Sequence, residues 1–383
     1  MDSTLLDLAA YPNSLWLTGQ NAAALADWQQ PDYGTTRIGY DYTGGRFRRP
    51  QEPAQRHDGY LHSEGLRSVK GWRFGGQFRY RKNADQSIRY SGVHDPYSGN
   101  PFVWMDTLAG DWQRDHIHAQ AAVGTPAFGN KWRWGLMLDY HLGQGARRNE
   151  PKPLYRYRNI RLAPSVTWRP NANTVWGLVL TAGFVQEENE VGFFSVNSAL
   201  LYRLRGYGTF SRSPVVTAER RIGGTDTQLR LQWQTESPGG VSWLAQAGGG
   251  LRRETVREGI ANPEEGGLFR EWNYEARLRR TRSVGRHNRI ADFQLTGRSG
   301  AGRDPIVQAF TARHNHWEMV GEWGRWRQTD KQFRHWFVRP SAQWVRYEDQ
   351  IARTEWHVWN ATLAVDWQQR FRRKQSWVWY ELE

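Results

Sequence analysis

Histidines spaced two residues apart are the pattern in this sequence best suited to metal chemistry. His116 and His118 form one pair, and His314 and His316 form another. Residues two apart in a strand share a face, so each pair can approach a single metal ion. Two imidazoles seldom hold a metal without a third ligand, and polar side chains on an inner strand face would give the same pattern. We therefore keep the four histidines as candidate ligands and predict no bound metal and no cofactor.

Catalytic motifs are missing from the sequence. It contains no P-loop, no GxSxG motif and no cysteine to supply a thiolate or a cysteine zinc site. His94 and Asp95 are adjacent, but adjacent side chains of an extended chain point apart and do not form an acid–base pair. We therefore predict no catalytic residues and no enzymatic activity. A barrel enzyme that acts on lipid or peptide stays as an alternative.

Arginine dominates the charge, which is formally +14 from 52 Lys and Arg against 38 Asp and Glu. Arginines interleaved with aromatic residues suit nucleic acids, but here the two classes alternate onto opposite strand faces and cannot contact one nucleic-acid strand together. We predict no nucleic-acid partner. Some arginines are expected to pair with carboxylates inside a barrel, and others near strand ends to contact anionic lipid and lipopolysaccharide. The candidates for lumen-lining residues are Arg73, Arg79, Arg133, Asp139, Glu275, Arg277, Arg279 and Asp366.

The elements that would position these residues are strands with one apolar and one polar face. In GWRFGGQFRY (71–80), Trp72, Phe74, Phe78 and Tyr80 alternate with Arg73, Gln77 and Arg79. Similar runs recur along the chain, separated by turn-rich segments such as RPNAN (169–173). We count about 16 strands, with a range of 14–18, in one barrel over residues 31–383. Long loops are expected near 83–110 and 252–270, and an N-terminal segment, residues 1–30, is expected to fold into the lumen.

The order of residues within each apolar face favours a membrane over water. Aromatic residues stand at the two ends of these faces and smaller residues in the middle, as a membrane barrel requires at its two interfaces. Eight strand steps of about 3.3 Å, tilted by about 40°, separate the two ends by roughly 20 Å, near the apolar height of such barrels. The predicted girdle residues are Trp72, Tyr80, Trp132, Tyr140, Trp176, Phe184, Trp336, Trp344, Trp359 and Trp367.

These patterns predict an all-β fold, a transmembrane antiparallel up-and-down β-barrel. The mean hydropathy of −0.80 is no objection, because half of each barrel strand is polar, and no apolar run reaches the roughly 18 residues of a membrane-spanning helix. Pro164 and Pro340 lie where a closed barrel needs backbone donors, so a soluble all-β protein stays open as an alternative; in a barrel these prolines would mark bulges or edge positions.

Three segments carry a resemblance to a known family. WLTGQNAAAL (16–25) is similar to an N-terminal "NAA-x-L" segment of outer-membrane proteins of Bacteroidota. HDPYSGNPFVWMDTLAGDW (94–112) and YHLGQGARRNEPKPLYRYRNI (140–160) resemble a family of uncharacterised outer-membrane β-barrels from that phylum. The resemblance runs through most of the chain. It implies a barrel fold and an outer-membrane location, and it leaves the activity open.

Three functions fit this reading. The first is a channel or gated route for a small solute, with anions as one candidate class, lined by the lumen arginines. The second is a plugged accessory barrel that binds a TonB-dependent receptor or a surface lipoprotein through its long loops, and the third is the barrel enzyme. We expect the bacterial outer membrane as the location. The opening residues lack the basic start and apolar core of a signal peptide, so we expect that the signal is not part of this numbering.

Overall fold

Long antiparallel strands make up most of the chain in the computed structural model, which describes residues 15–28, 31–192, 200–214, 217–259, 261–285, 287–328, 332–373 and 376–382. A short helix α1 (Leu15–Gly19) and a 3-10 helix (Ala22–Asp27) precede the strands. The strands are β1 (Tyr33–Gly44), β2 (Gln55–Val69), β3 (Trp72–Ile88), β4 (Trp104–Met105), β5 (Gly110–Gly124), β6 (Trp132–Arg147), β7 (Leu154–Asn171), β8 (Thr174–Gly192), β9 (Leu200–Leu204), β10 (Phe210–Pro214), β11 (Thr217–Ser237), β12 (Val241–Glu258), β13 (Glu264–Val284), β14 (His287–Arg303), β15 (Phe310–Gln328), β16 (Gln332–Asp349), β17 (Thr354–Arg373) and β18 (Ser376–Leu382).

Fifteen of these strands form one sheet in which each strand pairs with its neighbour along the chain. The order runs from β1 to β18 and omits only β4, β9 and β10, which make a separate three-stranded sheet. All the ladders are antiparallel, so the predicted up-and-down barrel topology is confirmed, with a strand number inside the predicted range. Among the residues that the structure describes, no ladder joins β1 to β18.

The two faces of the sheet differ as the alternation predicts. On β6, Trp134, Leu136 and Leu138 are 57%, 46% and 42% exposed on the outer face. Their neighbours Met137 and Asp139 are buried on the inner face. Similar exposed apolar side chains occur on most strands of the large sheet. A continuous apolar outer surface around a polar interior is the arrangement of a transmembrane β-barrel.

The structure places all ten predicted girdle residues on the outer face, where tryptophans form rows across neighbouring strands. Trp132, Trp168, Trp176 and Trp233 lie in direct register on β6, β7, β8 and β11. A second row, Trp317, Trp344 and Trp359, crosses β15, β16 and β17 nearer the opposite strand ends. Rows of this kind suit the two polar interfaces of a membrane, because an indole ring is apolar but carries one donor.

Two predicted loops are shorter than expected. Residues 252–258 end β12 and residues 264–270 begin β13, so the connection near 252–270 is only residues 259–263, and the predicted long loop there is wrong. The polar composition was misleading because Arg252, Glu254 and Glu271 face the lumen and pair with one another. The loop expected at 83–110 contracts to residues 89–109, since β3 continues to Ile88.

The two prolines at predicted backbone-donor positions lie at gaps in the strand ladders. The pairing of β7 with β8 is interrupted at Ala163 and Pro164, and that of β15 with β16 at Arg339 and Pro340. Proline lacks an N–H, so a ladder gap at such positions costs no backbone donor. No helix within the described ranges is long and apolar enough to cross a membrane.

Candidate functional site

The N-terminal helices lie inside the barrel, against a stretch of wall made of small residues. Buried Leu25 packs on Ala122, Met137 and Ala163 of β5, β6 and β7. Gly135 allows the closest approach, because a Cβ there would lie 2.1 Å from the backbone nitrogen of Ala23. A wall position with no side chain is therefore needed where the 3-10 helix touches the barrel. Residues 1–14 and 29–30 of the predicted lumen segment lie outside the described residues.

Asn21 fixes this segment to the wall by hydrogen bonds in two directions. Its side-chain oxygen accepts a bond of 3.1 Å from the N–H of Ala23 and caps the 3-10 helix. Its amide donates a bond of 2.8 Å to Gln232 of β11, and the N–H of Ala23 also donates to Ser165 of β7 at 3.1 Å. The segment thereby binds β7 and β11, the two strands that flank β8 in the sheet.

Charged residues hold the end of the same segment. Asp27 forms ion pairs with Arg133 of β6 and with Arg169 of β7, the latter at 2.8 Å. The carbonyl of Trp28 accepts a bond of 2.7 Å from Arg73 of β3. Two of the predicted lumen arginines, Arg73 and Arg133, thus bind the N-terminal segment, so their guanidinium groups already have partners within the protein.

Residues 89–109, which we call the inner loop, enter the barrel near its opposite end. Ser91, Val93, Phe102 and Trp104 of the inner loop are 0–3% exposed. Phe102 packs on Ile222, Val256 and Phe269 of the wall.

Wall carboxylates receive the polar groups of the inner loop. Glu187 accepts the N–H of His94 at 2.8 Å, and Glu254 accepts the amide of Asn100 at 2.8 Å. Glu258 accepts the indole N–H of Trp104 at 3.2 Å. Buried polar groups in these positions require partners, so the bonds define one docked position for the loop.

A second connection, between β9 and β10, covers the inner loop. β9 pairs with β4 of the inner loop, and the Tyr207 hydroxyl donates to the carbonyl of Gly99 at 2.7 Å. Asp349 of β16 accepts bonds from Gly208 and Thr209. The lumen is therefore occupied at two levels, by residues 15–28 near the short turns and by the inner loop near the long connections.

The predicted lumen residues all lie on the inner face, and most are bound in ion pairs. Arg277 and Arg279 share Asp292, Glu275 pairs with Arg230, and Asp366 contacts His335 at 3.2 Å. Arg79 lies on the inner face of β3 opposite His118. Asp139 has histidine contacts and no arginine within 4 Å among the described residues. The carboxylates thus neutralise much of the arginine charge that the sequence places in the lumen.

A cavity of about 240 Å³ remains between the inner loop and the wall. Arg161 and Arg252 contribute to its lining, each paired with a carboxylate, Asp226 and Glu254 respectively. A second cavity of about 210 Å³ is lined by Glu275, His316 and Glu318 among others. Arg298 lines both cavities.

Arg298 differs from the other arginines around the cavities. Its guanidinium donates a bond of 2.8 Å to Nδ1 of His316, and within the described part of the chain it has no carboxylate within 4 Å. The sequence analysis did not select Arg298. The only signal was its inward position two residues beyond Thr296 on a strand of alternating pattern.

The predicted histidine pairs do not converge on shared ligands. His118 meets Asp139 at 3.1 Å and stacks on His141 with ring centroids 3.9 Å apart, whereas His116 lies against His94 of the inner loop. Burial, with His116 and Arg114 nearby, lowers the pKa of His94 to about 3, so this imidazole is neutral.

The second pair is also divided between different partners. His314 is buried between Glu271, at 2.9 Å, and the Tyr207 hydroxyl, at 2.7 Å. His316 bridges Arg298 and Gln343. The sequence reasoning missed His141, although it stands two residues after Asp139 on the same strand face.

Comparison with known proteins gives a family and a distant structural likeness. No curated protein matches the sequence. The crystal structure of the Pseudomonas putida toluene transporter TodX aligns with 11% identity and a TM-score of 0.39, over 90% of this chain and 91% of that chain. The model of a family of unknown function, DUF6850, matches residues 22–383. Because the match extends over nearly the whole sequence, this chain belongs to the DUF6850 family.

Proposed function

We propose that this protein is a β-barrel of the bacterial outer membrane that provides a gated route for a small polar solute with an anionic group. The exposed apolar outer face and its rows of tryptophans support the membrane location. The resemblance of its motifs to barrels of Bacteroidota supports an outer membrane, where anionic lipid and lipopolysaccharide would surround the strand ends.

The occupied lumen favours a gated route over an open pore. The N-terminal segment and the inner loop each bind the wall through buried hydrogen bonds and ion pairs. A solute can pass only when such contacts open, and a docked loop with polar anchors is the kind of element that moves between two discrete positions.

Arg298 is the observation on which the solute chemistry depends. The paired arginines of the lumen are already neutralised, whereas Arg298 lines both cavities and donates to a neutral acceptor, Nδ1 of His316. A guanidinium can bind a carboxylate or phosphate with two parallel hydrogen bonds, which gives both charge and orientation. An anionic group of the solute would take this position as it moves between the cavities.

The experiment is conductance of the refolded chain in planar bilayers, with the inner loop either free or tied to the wall. Because the chain has no cysteine, the pair Asn100→Cys and Glu254→Cys can be cross-linked selectively with a reducible bifunctional thiol reagent. We expect brief discrete openings that stop on cross-linking and return on reduction. The matched control is Thr36→Cys with Ser63→Cys, a contacting pair on the outer face of β1 and β2, which should leave the openings unchanged.

Ion preference in a salt gradient tests the role of Arg298. The Arg298→Gln variant should lose anion preference, and Arg298→Lys should keep it because the charge is retained. Openings that persist after cross-linking of the inner loop would refute the gate. An unchanged preference in Arg298→Gln would refute the anionic solute.

A closed accessory barrel is the second candidate, and the same occupied lumen favours it. We propose that, in this case, the barrel binds an envelope protein such as a TonB-dependent receptor or a lipoprotein. A chain that inserts and stays silent in all variants, and that co-purifies stoichiometrically with one envelope protein in mild detergent, would support this function over the first.

A further inference from the structure

Three potential metal ligands meet on the inner wall where β5 and β6 pair. Asp139 and His141 lie two residues apart on β6 and therefore share its inner face. His118 of β5 stands directly opposite His141 in the ladder. The strand register alone thus brings two imidazoles and one carboxylate together, and no loop is needed to complete the group.

The ligand atoms are already close to the spacing that a metal ion requires. Nε2 of His118 lies 3.1 Å from one oxygen of Asp139, and Nε2 of His141 lies 2.9 Å from the other. All three potential ligand atoms lie within 4.8 Å of one another. Two ligands at metal bonds of about 2.0–2.1 Å and a tetrahedral angle are about 3.3 Å apart, so small side-chain rotations would suffice.

Asp139 also has an oxygen whose bonding is incomplete. Its Oδ2 accepts from His118 and from the amide of Gln120, at 3.1 and 3.2 Å. Its Oδ1 is buried without a well-formed hydrogen bond, and its neighbour is Nε2 of His141 at 2.9 Å. A buried carboxylate oxygen without a partner is costly, and a coordinated cation would remove that cost.

The arginine closest to Asp139 in the ladder pairs with another carboxylate, so the Asp139 carboxylate is available to a metal ion. Arg161 stands opposite Asp139 in the ladder with β7, but its guanidinium pairs with Asp226 at 3.3 Å. Asp139 therefore lacks the arginine partner that neutralises Asp85, Asp226 and Asp292. The imidazoles are partly accessible, with side-chain exposures of 23% for His118 and 38% for His141, so a hydrated ion can reach them from the lumen.

We propose that His118, Asp139 and His141 bind one divalent first-row transition metal ion, with Zn²⁺ as the reference ion. Two imidazoles and one carboxylate suit Zn²⁺, Ni²⁺ or Cu²⁺, whereas Ca²⁺ and Mg²⁺ require oxygen ligands. Three protein ligands leave a fourth coordination position for water or another small ligand. The site does not depend on the proposed transport function. It would also tie β5 to β6 below the inner loop.

The test uses the full chain, refolded without a histidine tag and stripped with a chelator. Zn²⁺ alone is titrated against a chromogenic competitor, with the variants His141→Gln and Asp139→Asn. The matched control is His116→Gln, which removes another inward histidine of β5 that has no carboxylate contact among the described residues. Heat-dependent mobility in gels verifies that each variant is folded.

We expect one Zn²⁺ per chain with a micromolar or tighter dissociation constant. Each ligand variant should weaken binding by at least about tenfold, and the control should not. Cu²⁺ in the wild-type chain should show hyperfine coupling to two imidazole nitrogens, which keeps the proposal testable even if a variant fails to fold. Absence of stoichiometric binding, equal losses in His116→Gln, or a copper spectrum without coupled imidazoles would each overturn the site and leave Asp139 as a simple hydrogen-bond acceptor.

Discussion

Replacement of Arg147 by methionine should release the inner loop from the wall. The Arg147 guanidinium is fully buried at the end of β6 and binds Asp106 of the inner loop at 3.0 Å. It also donates to the carbonyls of Leu108, Asn149 and Glu150 at 3.0–3.2 Å. Methionine keeps much of the side-chain length but removes all of these donors. Asp106, which is 2% exposed, would then be a buried carboxylate without its counter-charge.

The expected cost follows from this burial. Removal of one partner of a buried ion pair costs about 3–5 kcal/mol, because the other charge stays desolvated. The docking equilibrium of the inner loop should therefore shift by about 10²–10⁴-fold toward the undocked state. Hydrogen exchange measures this directly at the N–H of His94, which donates to the wall residue Glu187 at 2.8 Å.

A double variant and the pH dependence of loop docking test whether the Arg147–Asp106 ion pair holds the loop. Arg147→Met with Asp106→Asn removes both charges and should restore a large part of the protection. Burial raises the pKa of Asp106 above its ordinary 3.8, and Arg147 opposes that rise, so Arg147→Met should raise it further. At pH values between 3.8 and the raised pKa, Asp106 is protonated in the docked loop but ionised in the undocked loop. Docking should therefore strengthen as the pH falls through this window and weaken as the pH rises. Protection unchanged in Arg147→Met, or equally poor in the double variant, would show that the ion pair does not hold the loop.

Three further predictions test the interior and the outer face. Gly135→Ala places a Cβ against the backbone of the 3-10 helix and should destabilise the docking of that helix by about 1–3 kcal/mol. The expected result is faster proteolysis of residues 15–28. Gly34→Ala is the control, because open space surrounds Gly34, and it should leave proteolysis unchanged. Asn21→Ala removes the cap and the bond to β11 and should cost about 1–3 kcal/mol in urea unfolding; an unchanged midpoint would contradict the anchoring role. Trp132→Phe should remove fluorescence that brominated lipids quench, because Trp132 lies on the outer face. Trp112→Phe, at a fully buried inner position, should remove fluorescence that these lipids do not quench. The reverse result would contradict the assignment of the outer and inner faces of the sheet.

The topology and the facing of the strands were accessible from the sequence because they depend on local periodicity. Alternation along β3 and β6 identified which side chains point outward, and aromatic residues at the ends of the apolar faces predicted that these faces contact a membrane. Loop boundaries failed where polar residues form inner-face ion pairs, as with Arg252 and Glu254, because a charged strand end and a loop have similar composition.

The partners of the lumen residues were beyond the sequence. Arg133 was expected to line a path, but it binds Asp27 of the N-terminal segment, more than a hundred residues away in the chain. Arg298 was not selected, because its lack of a carboxylate neighbour depends on strands that lie together only in the folded barrel.

The sequence by itself thus determined an antiparallel barrel with an apolar outside and a charged inside, since the period of two is a property of each strand alone. Only the tertiary structure decided how the inside is used. Ladder register placed His118 opposite His141, and inward folding brought the inner loop onto Glu187 and Glu254. Register and loop docking are sums of contacts between distant segments, and no pattern within one segment contains them.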